Sequence, residues 1–106
     1  MTLWEARRRG LTFGIRREGE RLRFDFEWPS GRHSYLAEPG DLKAILTGIP
    51  FHRENHNATC MIELVGEAVA ITVREAGGQE RALAFSRLEL WQVLIRVTGW
   101  TDGSVR

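Results

Sequence analysis

The chain has 106 residues, of which 42% are hydrophobic and 27% are charged, and its formal net charge is +1. This is the size and composition of one ordinary folded domain, which excludes an intrinsically disordered chain and a scaffold that depends on disulfides. The near-neutral charge is also unlike that of a dedicated duplex-binding protein.

Composition also bears on the compartment. No apolar run approaches the roughly 18 residues of a membrane span, and we find no secretory signal, so we expect a cytoplasmic protein without a membrane partner. The lone cysteine agrees with a reducing compartment, because it has no partner for an internal disulfide. Its 14 arginines against one lysine are typical of GC-rich coding and favour an origin in a bacterium or its phage.

The first predicted elements are two strands with alternating apolar residues. In "LTFGIRREGERLRFDFEW" every second side chain on either side of Glu18-Gly19 is apolar. A two-residue turn there predicts an antiparallel hairpin that pairs Phe13 with Phe24 and keeps the apolar side chains on one face. We expect these aromatic side chains to form core rather than an open stacking platform, because two apolar helices need a surface to cover.

A third strand and a helix follow. After a three-residue turn, the strand over 32–37 is expected to bring Leu36 onto the core face opposite Phe24. The stretch "PGDLKAILTG" then predicts a helix with Asp41 as its N-cap and Gly48 as its stop. The apolar face of this helix comprises Leu42, Ile45 and Leu46.

The second half repeats this plan. "CMIELVGEAVAITVRE" predicts a hairpin that turns near Gly66-Glu67, and "QERALAF" predicts a third strand. A second helix begins at the capping box formed by Ser86 and Glu89 and runs to Gly99. Seven positions recur at a spacing of 47, among them Gly19 and Gly66, Leu22 and Val69, Phe24 and Ile71, and Leu36 and Leu83.

These elements predict an α+β fold of two consecutive βββα units, with antiparallel sheets packed by two helices. The whole chain, 1–106, is expected to be one domain. Its first unit spans 11–48, a linker spans 49–58, and the second unit spans 59–99.

Antiparallel units that are each closed by a helix and occur twice resemble the architecture shared by PC4-like and Whirly-type single-stranded-DNA-binding proteins. The stretches "LKAILTGIP" and "LWQVLIRVTG" resemble helix regions of SsgA-like actinobacterial regulators built on that architecture. The resemblance implies a fourth strand in each unit, where the sequence predicts three.

One polar segment, "FHRENHNATC", raises the possibility of zinc. His52, His56 and Cys60 are spaced four apart and would share one face of a helix. The predicted strand register instead turns Cys60 into the core, which leaves two histidines and Glu54. We therefore expect a polar connection that binds no metal.

No known catalytic motif is present in the sequence. His33 is a candidate general base beside Asp25 or Glu27 on the neighbouring strand, but a histidine next to carboxylates on a sheet is more often a surface ion pair. We expect a protein that is not an enzyme and has neither catalytic residues nor a cofactor.

Arginines crowd the first hairpin, where the predicted register puts Arg16 opposite Arg21. Like charges at paired positions are unfavourable by up to about 1 kcal/mol. Either nearby carboxylates relieve them or an anionic partner binds between them. Residues 1–36 carry eight arginines against five acidic residues, so the positive field lies at this end. The candidate partner-binding residues are Arg16, Arg17, Arg21 and Arg23.

The second helix is apolar on most of its circumference, and one face is enough to cover a sheet. We expect the remainder to meet a second copy of the chain through Leu90, Trp91 and Leu94. The sequence thus favours a small non-catalytic protein-interaction or regulatory module that acts as a homodimer. The alternative is a module that binds single-stranded DNA or RNA through the arginines of the first hairpin.

Overall fold

The computed structural model of the chain describes residues 2–29 and 31–102, with side chains as far as 97 in the last helix. It contains two four-stranded antiparallel sheets, in each of which the strands are neighbours in chain order. The first unit comprises β1 (Thr2–Arg8), β2 (Leu11–Glu18), β3 (Arg21–Trp28), β4 (Gly31–Ala37) and α1 (Pro39–Leu46). The second comprises β5 (Phe51–Glu54), β6 (Ala58–Val65), β7 (Ala68–Glu75), β8 (Glu80–Ser86) and α2 (Arg87–Asp102).

The α+β class and the antiparallel sheets are confirmed, but the prediction of three strands per unit is wrong. Each unit begins with a fourth, outer strand, β1 or β5. In β1 the register shifts between Thr2 and Trp4, which breaks the alternation that reveals a strand. In β5, which lies within the predicted linker, only Phe51 is buried. Neither strand therefore carries a period-2 apolar pattern.

The register of the first hairpin differs from the prediction by two residues. Phe13 pairs with Phe26, and the turn comprises Gly19 and Glu20 rather than Glu18 and Gly19. Gly19 adopts a φ of 66°, which a two-residue turn requires of its first central residue and which glycine adopts without strain. Because a shift of two preserves the faces of a strand, the apolar side chains still point inward.

The third strand of the predicted unit was misplaced by one residue, which reverses its faces. Trp28 pairs with Gly31, so only two residues connect β3 to β4. As a result Tyr35 lies opposite Phe24 and is 5% exposed, whereas Leu36 is 38% exposed. The predicted inward position of Leu36 is wrong.

The second hairpin has the predicted register. Val65 pairs with Ala68 around Gly66-Glu67, and Cys60 pairs with Val73. Cys60 is fully buried, so its predicted inward position is confirmed.

The helix ends differ in detail from the prediction. Asp41 is the third residue of α1 rather than its N-cap, and its Oδ2 accepts a hydrogen bond from the backbone N–H of the N-cap residue, Glu38, at 2.8 Å. In α2, Ser86 Oγ accepts the N–H of Glu89 at 3.0 Å, as predicted. The helix continues past Gly99, because an isolated glycine costs a helix only about 1 kcal/mol.

The inner faces of both sheets and the apolar faces of both helices form one core. Phe13 stacks on Phe26 with ring centroids 4.7 Å apart. Phe24 lies 5.1 Å from Phe51, which joins the two sheets. These rings are buried, so the expectation that they form core is confirmed.

Candidate interaction surfaces

The outer face of the first sheet, turned away from the core, carries most of that sheet's charge. The registers place five arginines and four carboxylates on it: Arg7, Arg16, Arg21, Arg23 and Arg32, with Glu5, Glu18, Asp25 and Glu27. Charges of both signs therefore alternate over this face, and its net charge is small.

The arginines of this face are not opposed as the sequence predicted. Arg16 faces Arg23, and Arg21 faces Glu18. The guanidinium of Arg16 donates to Asp25 Oδ2 at 2.5 Å, so the like-charged pair is relieved by a carboxylate on the adjacent strand.

The other predicted arginines also have neighbours. Arg23 donates to both carboxylate oxygens of Glu18, at 2.9 and 2.7 Å. This contact lowers the pKa of Glu18 and raises the pKa of Arg23. Arg21 lies 3.1 Å from Glu38, and Arg17 is half-buried on the core side of β2. A phosphate would therefore have to compete with the protein's own carboxylates for three of the four arginines.

The outer face of the second sheet carries fewer charged side chains than that of the first. On β7 and β8 it consists of small uncharged side chains, which we call the alanine face: Ala68, Ala70, Thr72, Ala82, Ala84 and Ser86. Ala82 and Ala84 are exposed. The charged residues Arg74 and Glu80 lie at one end of the two strands, 2.9 Å apart. Sequence reasoning missed this face, although the alternating alanines in "AVAIT" and "RALAF" were a visible signal.

The residues expected to join two copies through α2 lie mainly inside the protein. Leu90 and Leu94 are 1% and 5% exposed, and Trp91 is half-buried against the core. Among its side chains as far as 97, the large apolar ones that this helix exposes are Leu88 and Ile95, at 68% and 58%. Leu90 and Leu94 are thus core residues rather than contact residues.

The histidine and cysteine cluster is dispersed by the strands. Burial raises the pKa of the Cys60 thiol to about 12, and Cys60 faces the core. His52 and His56 are exposed. Within the described ranges, no three His, Cys, Asp or Glu side chains are grouped so that they could hold a metal ion.

His33 does not pair with a carboxylate of its own sheet. Its Nε2 lies 3.1 Å from Glu75 Oε2, in the second sheet, and its ring lies 5.3 Å from Trp28. The hypothesis that pairs it with Asp25 or Glu27 is wrong, because both stand on the outer face while His33 points inward. The contact joins the two sheets.

No family model and no curated protein matches the chain. In the part of the chain that the structure describes, no helix is both long and apolar enough to cross a membrane. A functional proposal therefore depends on the exposed faces and edges of the two sheets.

Proposed function

We propose that the protein is a non-catalytic protein-interaction module that acts as a homodimer through its alanine face. The observation that supports this is the contrast between the outer faces of the two sheets. The first carries charged side chains on all four strands, whereas on β7 and β8 of the second the side chains around Ala70 and Ala84 are small and uncharged. The nearest charge is Glu63, which pairs with Ala70 on β6.

The choice of residue on this face favours a packing role. Alanine is depleted in strands, where threonine and β-branched residues are preferred, and it adds no solvation on an open face. Its advantage is that it lets another backbone approach closely. Two sheets that pack face to face lie about 10 Å apart and interdigitate their side chains. Small side chains at Ala70, Thr72 and Ala84 suit such packing.

A second copy of the chain suits this face. A two-fold axis brings the same patch of both copies together, so any charge at its centre would meet itself. The centre of the alanine face has no charge, and Glu63, next to Ala70 on β6, lies at its border. The same operation on the first sheet would have to desolvate Arg16, Arg23 and their carboxylates.

The nucleic-acid alternative has less support from these contacts. Arg16, Arg21 and Arg23 each have a carboxylate within 3.1 Å. Phosphate binding would have to replace those pairs, and the face as a whole is nearly neutral. The crowding of like charges that suggested a bound anion is relieved within the chain.

Light scattering over a dilution series tests the proposal. We expect the wild-type chain to be dimeric at micromolar concentration. We expect Ala70→Glu, which buries an unpaired charge, to weaken association at least about tenfold. The matched control is Thr12→Glu on the outer face of the first sheet, which should remain dimeric.

Two outcomes would overturn the proposal. One is a wild-type chain that stays monomeric at high concentration. The other is an Ala70→Glu variant that associates as tightly as the wild type while circular dichroism shows both to be folded.

A further inference from the structure

A groove lies where the end of β1 meets the edge of the second sheet. It is lined by Arg8, Arg9, Ala82, Leu83 and Ala84 and has a volume of about 460 Å³. None of these lining residues is acidic. One wall is therefore positively charged and the other is the main chain of a strand.

The strand in this wall, β8, has one open side. It pairs with β7 alone and ends the second sheet. Among the described residues, the backbone hydrogen bonds outside the regular ladders include none from 81–85. An open edge presents a row of N–H and C=O groups that another extended chain can pair with. Alanine at 82 and 84 leaves room for that chain to approach.

The positive charge in the groove comes from two arginines, of which one has contacts within the chain and the other is exposed. Arg8 is fixed: its guanidinium lies 4.9 Å over the Phe85 ring and 3.4 Å from Glu89. Arg9 is exposed and makes no ion pair or side-chain hydrogen bond with any described residue. Its charge is thus available to a partner.

The backbone at Arg9 is unusual for its residue type. Arg9 and Gly10 have φ angles of 53° and 79°, which form the two-residue turn between β1 and β2. Positive φ at both central residues is the type I′ turn, which favours asparagine followed by glycine. A residue with a Cβ and no local hydrogen bond is strained there. The turn itself therefore does not account for an arginine at this position.

We propose that this groove binds an acidic polypeptide segment in extended conformation, which adds to β8 as a fifth strand with a carboxylate against Arg9, next to Arg8, which is already paired with Glu89. The inference rests on the proposed function in that it names a class of protein partner. It uses the main-chain edge of β8, and the groove shares Ala82 and Ala84 with the alanine face. A polypeptide is favoured over a nucleic acid because the strand edge offers an N–H donor and a C=O acceptor from every second residue, a repeat of about 7 Å that another main chain matches. A phosphate backbone supplies acceptors alone.

Fluorescence anisotropy with synthetic peptides tests this binding mode on the intact chain. The probe is a short labelled peptide of alternating valine and glutamate. Two comparison peptides carry lysine in place of glutamate, or N-methyl groups at alternate residues that prevent strand pairing. We expect the glutamate peptide alone to bind, and its affinity to fall as salt rises. Equal binding by the N-methylated or the lysine peptide would overturn the proposal.

Arg9→Asn separates a binding role from a structural one. We expect the variant to melt at a higher temperature than the wild type, because asparagine suits the turn, and to bind the glutamate peptide about tenfold more weakly. The matched control is Arg32→Asn, which removes an exposed arginine from the outer face of the first sheet and should leave peptide affinity unchanged. A peptide affinity unaffected by Arg9→Asn would overturn the proposal. So would a labelled oligothymidylate that binds the wild type more tightly than the glutamate peptide does and that Arg9→Asn no longer binds.

Failure of this inference is distinguishable from failure of the proposed function. Ala70 is on β7 and does not line the groove. Ala70→Glu should therefore dissociate the dimer and keep peptide binding. A wild-type chain that dimerises but does not bind the peptide would contradict the proposed groove. A wild-type chain that binds the peptide but does not dimerise would contradict the proposed contact through the alanine face.

Discussion

The two sheets have the same construction but different outer faces. The spacing of 47 that relates Phe24 to Ile71 also relates Arg23 to Ala70 across the two hairpins. Both hairpins turn at a glycine with nearly the same φ, which is 66° at Gly19 and 63° at Gly66. The two hairpins therefore share their inner alternation and a glycine at the first turn position. The outer side chains are free to differ, and there we place the function.

The inner faces differ as well, and this gives the largest expected effect. Phe13 and Cys60 occupy equivalent positions, yet Phe13 packs against several aromatic rings. We expect Phe13→Ala to lower the free energy of unfolding by about 3–5 kcal/mol. Cys60→Ala removes a single heavy atom and should lower it by about 1 kcal/mol. Urea denaturation measures both, and equal losses would show that the two hairpins contribute alike to the core.

Each sheet buries one weak acid, which predicts instability at alkaline pH. The folded chain raises the pKa of Cys60 and of Tyr35 to about 12, chiefly through burial. Unfolded thiols and phenols lose their protons near about 8.5 and 10. Since the unfolded state then binds fewer protons, the free energy of unfolding falls as pH rises from these values towards 12, by up to about 1.4 kcal/mol per pH unit for each group.

Two variants separate these contributions. Cys60→Ala should remove the decline in stability that begins near pH 8.5, about 1.5 pH units before the phenol contributes. Tyr35→Phe should leave that decline and reduce the one above about pH 10. Denaturation at a series of pH values measures both. A wild-type stability that is flat from neutral pH to 11 would contradict the burial of both groups.

The sequence predicted the α+β class, the second hairpin's register and the capped start of α2, because each has a local signal. Gly66 fixes a turn, and Ser86 with Glu89 forms a capping box. The strands β1 and β5 were missed because an outer strand buries few side chains on its inner face. The faces of β4 were predicted the wrong way round because the turn before it has two residues rather than the predicted three. Alternation within the strand does not reveal the length of that turn.

Candidate sites were harder to predict than strands. The arginines stood out because of their charge, yet Glu38, which pairs with Arg21, lies 17 residues away in the sequence. The groove joins Arg9 to Ala84, which only the packing of two sheets brings together. Apolar content marked α2 as a contact helix, but Leu90 and Leu94 belong to the core. Sequence periodicity does not distinguish a face that meets a sheet from one that meets another subunit.

The helix caps give a smaller effect that also compares the two units. Ser86→Ala removes the acceptor for the N–H of Glu89 and should cost about 1 kcal/mol. In α1 the reciprocal hydrogen bond is removed by Asp41→Ala, because there the third helical residue accepts the N–H of the N-cap residue, Glu38. Thermal denaturation of the two variants should show losses of similar size. A loss confined to one variant would show that the other helix is held by packing alone.

The smallest expected effect is at Glu18, where the second hairpin has Val65 instead. Arg23 lowers the pKa of Glu18, so the contact stabilises the fold above the ordinary pKa of a glutamate, and this contribution is lost as pH falls through the lowered value. Glu18→Gln should therefore be slightly less stable than the wild type at neutral pH and equal to it in strong acid. A deficit that persists in acid would point to a role other than the ion pair.

Alanine-methyl NMR over a dilution series tests most directly that the outer face of the second sheet is the contact surface. If two copies meet there, the methyl signals of Ala70, Ala82 and Ala84 shift between dilute and concentrated samples. Those of Ala37 and Ala58, buried in the core, remain where they are. Shifts that leave the alanine face untouched, or none at concentrations where light scattering shows a dimer, would contradict the account.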